Sequence, residues 1–214
     1  MPQILKTGEK ISEAEVLEQA AQILAAGGII AYPTETFYGL GADAANEEAI
    51  RKIFAIKGRN FHNPISVIIS DEKNLNPLVR GVSDNAKKLM TAFWPGALTL
   101  VFAAADRVSL LLTAGSGKIG IRLSGHQAAR EIAARLSHPV TATSANLSGA
   151  PECSTAAEVA AQIGYEIDAI VDWGETPGGR GSTIIDTTST PPAVIREGAI
   201  SRSLIEQNTG IIFK

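Results

Sequence analysis

Ala114-Gly115-Ser116-Gly117-Lys118-Ile119-Gly120-Ile121-Arg122-Leu123 is the stretch on which the fold turns. Taken as a phosphate loop it would make the chain a P-loop nucleotide enzyme, and taken as a dinucleotide fingerprint it would open a Rossmann domain. Neither pattern holds. The Walker spacing places its first glycine at Leu112, and Ile119 stands where Ser or Thr would bind magnesium. Gly115, Gly117 and Gly120 do spell GxGxxG, but that fingerprint must lead into a helix. Here it leads into residues 118–123, which alternate like a strand. The glycines therefore make a turn, and the strand after it ends with Arg122 beside it.

Outward from that turn, strand-like runs occur at Ile29 to Tyr32, Ile65 to Ile69, Ala97 to Phe102, Val140 to Ala142 and Ala169 to Val171. Two more follow at Thr183 to Asp186 and Ala193 to Arg196. Helices are expected between several of them. Ser12 and Glu15 form a capping box before a helix that Gly27-Gly28 stops near Ala26. Asn46 caps a second, in which Ile50, Ile53, Phe54 and Lys57 share a face, so Lys57 is aimed at whatever the fold encloses. Further helical stretches lie around Asp84 to Phe93, His126 to Leu136 and Thr155 to Ile163. Strands interleaved with helices, without a regular βαβ period, predict an α/β (mixed α+β) fold with an open mixed sheet and flanking helices.

One domain over residues 1–214, with its core at about 15–205, accommodates these elements. The Gly/Pro-rich stretch Thr176 to Gly181 reads as an active-site loop, because the 33 residues after it are too few for a second conventional domain. A net charge of −3 excludes a protein that coats nucleic acid through global basicity, while leaving room for a local basic cleft. The single cysteine, Cys153, forms no intrachain disulfide. The start has no apolar signal core, and no run approaches the roughly 20 apolar residues of a membrane span. A cytoplasmic protein without membrane contact is the expectation.

Covalent and metal chemistry find no support. His62, His126 and His138 are scattered, no Cys/His spacing suggests zinc, and no metal-ligating residue is assigned. Cys153 has no activating partner in the sequence, and no GxSxG elbow is present. Polar clusters at strand ends carry the chemistry instead. Pro33-Thr34-Glu35-Thr36-Phe37-Tyr38-Gly39-Leu40-Gly41 follows an apolar strand and suits either a small polar ligand or a capped turn. Lys57-Gly58-Arg59, with Asn63-Pro64 after it, suits a triphosphate or simply the favourable charge of a helix C-terminus. Thr141 to Gly149 places five hydroxyl or amide side chains within eight residues, too many for one turn. Arg122, Ser182 and Arg196 stand at other strand ends, where open sheets border ligand crevices. Lys57, Arg59, Arg122 and Arg196 together suit a nucleotide triphosphate better than an RNA duplex.

Taken in order, these strings resemble the YrdC-like family. The resemblance rests on Pro33 to Gly41, Lys57-Gly58-Arg59 with Asn63-Pro64, Pro95 to Leu100, Ser144 to Gly149, Gly181 to Asp186 and Arg196-Glu197-Gly198. It implies a twisted sheet around a concave, positively charged cleft. It also implies an L-threonylcarbamoyladenylate synthase, a nucleotidyltransferase that forms threonylcarbamoyl-AMP and pyrophosphate from L-threonine, bicarbonate or CO2, and ATP. Mg2+ is expected with the ATP. The product would go to a downstream threonylcarbamoyl-transferase complex for tRNA N6-threonylcarbamoyladenosine, and a tRNA or double-stranded RNA contact belongs to the same expectation. Carried over by residue, Thr36, His126, Ser144 and Ser182 would contact threonine. Arg59, Asn63, Arg122, Asn146, Ser154 and Arg196 would contact ATP, with Lys57 and Arg59 as the catalytic cations. Ser154 doubles as a candidate N-cap of the next helix.

The chain departs from the pattern at Ile68, where many relatives have histidine, and at Asn60 and Ser124, where proline is common. No extra C-terminal domain is expected after Arg196. The competing readings are a family member that binds structured RNA without this activity, and a carbamoyl-adenylate enzyme with another acceptor.

Overall fold

The structure is a computed structural model that describes residues 1–8, 11–58 and 61–214. The expected mixed α/β class is the one found, with its strands divided between two sheets. In the five-stranded sheet, β1 (Gln3–Lys6), β9 (Ala169–Asp172) and β2 (Ile30–Tyr32) run parallel. β3 (Gly39–Gly41) and β8 (Thr143–Ser144) then add antiparallel. The six-stranded sheet has the order β11 (Ala193–Arg196), β10 (Thr183–Asp186), β5 (Leu98–Ala103), β6 (Lys118–Arg122), β4 (Val67–Ile68) and β7 (Val140–Thr141). Parallel pairs β10/β5 and β6/β4 alternate there with antiparallel ones.

The sheets meet at a seam. Only Ala142 separates β7 from β8, and the chain leaving β3 bonds back to β7 through Thr141 N–H to Ala42 O at 3.0 Å and Ala44 N–H to Pro139 O at 3.0 Å. Two-residue strands do not announce such a hand-over between sheets in the sequence.

Helix α1 (Glu13–Ala25) starts at the expected capping box, with both reciprocal contacts of Ser12 and Glu15 present. It buries Val16, Leu17, Ala20, Ala21 and Leu24, the 3–4 residue spacing of one helix face. That face packs with α5 (Gln127–Leu136) over Ile30 and Tyr32 of β2, and Ile68 lies in the same apolar cluster. Ile29 and Ala31 take the other side of the sheet and join the larger core with Phe54, Leu100, Phe102 and Ile121, as strand alternation requires.

Helix α2 (Glu47–Lys57) is N-capped by Asn46, whose side chain accepts from Glu48 and Ala49 N–H. It ends at Gly58, which is left-handed at φ 57°, a conformation only glycine adopts without strain. The other helices are α3 (Asp84–Phe93), the short α4 (Leu110–Thr113), α6 (Ala156–Ile163) and α7 (Arg202–Thr209). No described helix is long and apolar enough to cross a membrane.

The turn that decides the fold behaves as read. Ala114 closes α4 in the left-handed region, Gly115 and Gly117 take φ of 73° and 68°, and the chain enters β6 as a strand. Leu100, Val101 and Phe102 pair antiparallel with Ile121, Gly120 and Ile119.

Candidate active site

A cleft of about 420 Å³ opens between the two sheets. From one side come Thr34 and Thr36 of the β2–β3 connection together with Ser144 and Asn146. Thr99, Arg122, Ser182 and Arg196, on or beside β5, β6, β10 and β11, form the other side. Lys57, at the last position of α2, closes the base.

Each side chain is held by local structure. Thr34 Oγ donates to Phe37 O at 2.7 Å and accepts from Thr36 N–H at 3.1 Å, so the turn reading of that string is realised. Thr36 Oγ lies 3.1 Å from Thr34 Oγ, which leaves the pair lining the cleft as well. Buried Ser182 shares a 2.9 Å hydroxyl contact with buried Thr99. Arg196 donates through Nη2 to Ser182 O at 2.8 Å and through Nε to the same oxygen at 3.2 Å. Its guanidinium rests on Gly181, where a Cβ would come within 3.0 Å of Nη2, so a side chain there would push Arg196 aside. Ser144 Oγ donates to Asn146 Oδ1 at 2.6 Å, and Asn146 Nδ2 donates to Ala150 O at 2.6 Å.

Lys57 is buried. Its ammonium donates to Ser144 O at 2.6 Å and to Asn146 O and Oδ1, both at 3.0 Å. Three oxygens match its three donors, as a buried ammonium requires. The Lys57 charge therefore fixes the loop that carries Ser144 and Asn146.

The structure brings Thr36, Lys57, Arg122, Ser144, Asn146, Ser182 and Arg196 into one lining. Arg59 lies outside the described residues. Asn63, His126 and Ser154 are described but are not among the lining residues. Asn63 is exposed on the approach to Pro64, which does line the cleft. His126 occupies the N-cap of α5, its Nδ1 buried without a partner among the described residues, and burial holds its imidazole below its ordinary pKa. The Glu35 charge opposes that shift and Arg130 adds to it. The N-cap of α6 is Thr155, in a capping box with Glu158, so the capping role considered for Ser154 falls to its neighbour. Ile68 is fully buried in apolar surroundings, and Ser66 lines the cleft two residues before it. Reading from the sequence missed Ser66, and it quoted Thr34 and Thr99 within longer strings without giving either a contact of its own. Strand alternation around Ile65 to Ile69 was the available signal for Ser66.

A family profile described as Telomere recombination, Sua5_yciO_yrdC, matches residues 22–198. The chain belongs to the Sua5/YciO/YrdC family. Within it, this chain is 37% identical over 209 residues to a threonylcarbamoyl-AMP synthase of Pyrococcus abyssi, covering 98% of this chain and 61% of that protein. It is 39% identical over 207 residues to a threonylcarbamoyl-AMP synthase of Bacillus subtilis, covering 96% and 60%. The chain thus spans about three fifths of the length of these relatives. The crystal structure of P. abyssi Sua5 complexed with L-threonine superposes with a TM-score of 0.93 at 35% identity, over 100% of this chain and 62% of that one. Each of the strings read from the sequence contributes at least one residue to the cleft lining.

Proposed function

We propose that this chain is a threonylcarbamoyl-AMP synthase. The observation that carries the reading is the meeting of Lys57, Arg122 and Arg196 with the hydroxyls of Thr36, Ser144 and Ser182 in one cleft of about 420 Å³. That volume lies in the range of small-molecule sites and is unsuited to enclosing a nucleic-acid duplex. The names of the relatives and the threonine in the Sua5 complex support the same substrates.

In this reading the threonine amine forms a bond to the carbon of CO2 and gives up a proton to solvent; starting from bicarbonate, that proton leaves instead with the displaced hydroxyl as water. A carbamate oxygen then attacks the α-phosphorus of ATP, the bond to the β-phosphate bridging oxygen breaks, and pyrophosphate leaves. No side-chain nucleophile is needed. The protein traps three reactants in one orientation and places cations where charge develops. Arg122 and Arg196 serve the triphosphate, with Asn63 on the approach to the lining residue Pro64, and Arg59 keeps the ATP role that the resemblance implies. Lys57 holds the Ser144–Asn146 loop and adds its field. Thr36, Ser144 and Ser182 receive threonine, and Asn146 the nucleotide. His126 is assigned to threonine and Ser154 to ATP on the resemblance alone, since neither is among the lining residues. Among the described residues no group of three or more His, Cys, Asp or Glu is placed to hold a metal ion, and Glu152 is the lining carboxylate. Mg2+ accordingly enters on the phosphates, as part of the nucleotide substrate.

Threonine should stimulate bicarbonate-dependent pyrophosphate release, and valine should do so at least about tenfold less. A site built to bond a hydroxyl leaves its own groups unpaired when that hydroxyl is missing. Equal rates with the two amino acids would remove threonine from the assignment.

A further inference from the structure

Strand alternation gives the six-stranded sheet a second face. Ser66, Thr99 and Arg122 face the cleft, so Val67, Ile69 and Ile119 in the same segments point the other way, into the large core. Over that opposite face lies another cavity of about 420 Å³, and its lining residues do not overlap with those of the cleft. One of its walls is made by two single 3-10 turns, Glu72–Asn74 and Asn76–Leu78, and not by a full helix. Short turns cover a sheet incompletely. Leu78 and Val108 are left half-buried above Val67, Ile69 and Ile119, which are fully buried.

The ionisable groups of this lining are Lys73, Arg107 and His138, all exposed, and no carboxylate is among them. Acids stand next to the lining as partners of single groups. Asp43 Oδ2 is 3.1 Å from His138 Nδ1, Asp71 Oδ2 is 3.8 Å from Lys73 Nζ, and Glu47 Oε1 accepts from Ser109 Oγ at 2.7 Å. Arg107 differs from these. Among the described residues it makes no hydrogen bond or ion pair, while Asp106 beside it is taken by Arg80 at 2.6 Å. A solvated arginine alone would be ordinary. A guanidinium with its donors unspent at the mouth of an apolar hollow favours an anion that carries an apolar body.

We propose that this cavity is a second small-molecule site, for an amphipathic carboxylic acid. Its carboxylate takes paired hydrogen bonds from Arg107, Lys73 adds charge, and the hydrocarbon body covers Leu78 and Val108. The volume and the mixture of apolar walls with a few polar groups are those of a small-molecule pocket. The site does not depend on which reaction the cleft carries out.

The test is a titration of methyl-labelled protein followed by NMR. Octanoate, kept below its micelle concentration, should shift the methyl signals of Leu78, Val108 and Ile119 saturably, with a Kd below about 1 mM. Acetate lacks the body and octanol lacks the charge, so each should bind at least about tenfold more weakly. Arg107→Ala should raise the octanoate Kd by about three- to tenfold, the lower end reflecting solvent exposure of the pair. Val108→Trp should fill the cavity and abolish saturable binding. Arg107 is exposed and carries the decision should Val108→Trp not fold. Four outcomes overturn the proposal: no saturable shift at these methyls with octanoate up to about 10 mM, shifts confined to residues of the cleft, octanol binding as tightly as octanoate, or an unchanged octanoate Kd in Arg107→Ala.

Discussion

Cys153 shows how burial settles a residue's chemistry. The side chain is fully buried in the large core, and its thiol is pushed up to about 11, first by burial and then by the Glu158 charge, against a smaller opposing effect of Lys57. A thiol held neutral is a poor nucleophile. Cys153→Ala should therefore keep pyrophosphate release within about twofold of wild type, since thiolate chemistry is what the site lacks. A folded, inactive variant, judged by circular dichroism, would restore covalent catalysis to consideration. The sign of the linkage gives a second readout. A group whose folded pKa is raised stabilises the fold fully below its unfolded value of 9.0 and loses that contribution as pH rises through about 11. Wild type should lose more stability than Cys153→Ala over that alkaline interval. At this scale the sequence was most legible where charge or hydroxyl stands at a strand end: Arg122, Ser182 and Arg196 are where their strings put them. His126 and Ser154 were less so: neither is among the lining residues, and only tertiary packing decides which way an N-terminal turn faces.

Among the elements, the loop after β8 depends on a helix far away in sequence. Lys57 ends α2, and its ammonium bonds the carbonyls of Ser144 and Asn146 and the Asn146 amide oxygen. Ser148 N–H returns a bond to Lys57 O at 3.3 Å. Lys57→Ala should lower turnover by about 10²-fold, the scale on which a small misplacement of positioned groups costs rate. It should also reduce unfolding free energy by about 1–3 kcal/mol, because buried acceptors lose their donor. Pyrophosphate release and urea unfolding measure the two effects, and a variant with normal turnover would separate the loop from the chemistry. Local signals defined many elements well. α3 spans Asp84–Phe93 as its pattern predicts, and β10 and β11 keep their predicted limits. Others carried no local signal. β3 is Gly-Leu-Gly, a composition that disfavours strands, and exists because β2 and β8 pair with it on either side. β8 has two residues, too few for any periodicity. β1 and α7 went unread, although Ser201 caps α7 through Leu204 N–H.

On the scale of the whole molecule, the division into two sheets is what creates a site. A single open sheet would present Arg122, Ser182 and Arg196 along one edge, with nothing opposite. Here the seam at Thr141 to Thr143 brings Thr36, Ser144 and Asn146 across from them. Strand periodicity fixes which face a residue takes but not which sheet its strand joins, so this arrangement was beyond the sequence. Under the proposed function it makes ligand binding a whole-molecule event, because ATP in the cleft would touch both sheets. A ligand that binds only the folded state stabilises it by RT ln(1 + [L]/Kd), about 2.7 kcal/mol at one hundred times Kd. For a chain of 214 residues each kcal/mol raises the melting temperature by about 2–4 °C, so saturating MgATP should raise it by about 5–10 °C. Arg196→Ala should cut that rise by up to about 3–5 °C at the same ATP concentration: a tenfold weaker Kd is about 1.4 kcal/mol, and the exposed position of the side chain makes a tenfold loss the upper bound. Differential scanning calorimetry of both proteins, each with and without MgATP, supplies the comparison. An unchanged melting temperature for wild type at millimolar MgATP would mean that the nucleotide does not bridge the sheets, and the cleft would need another ligand.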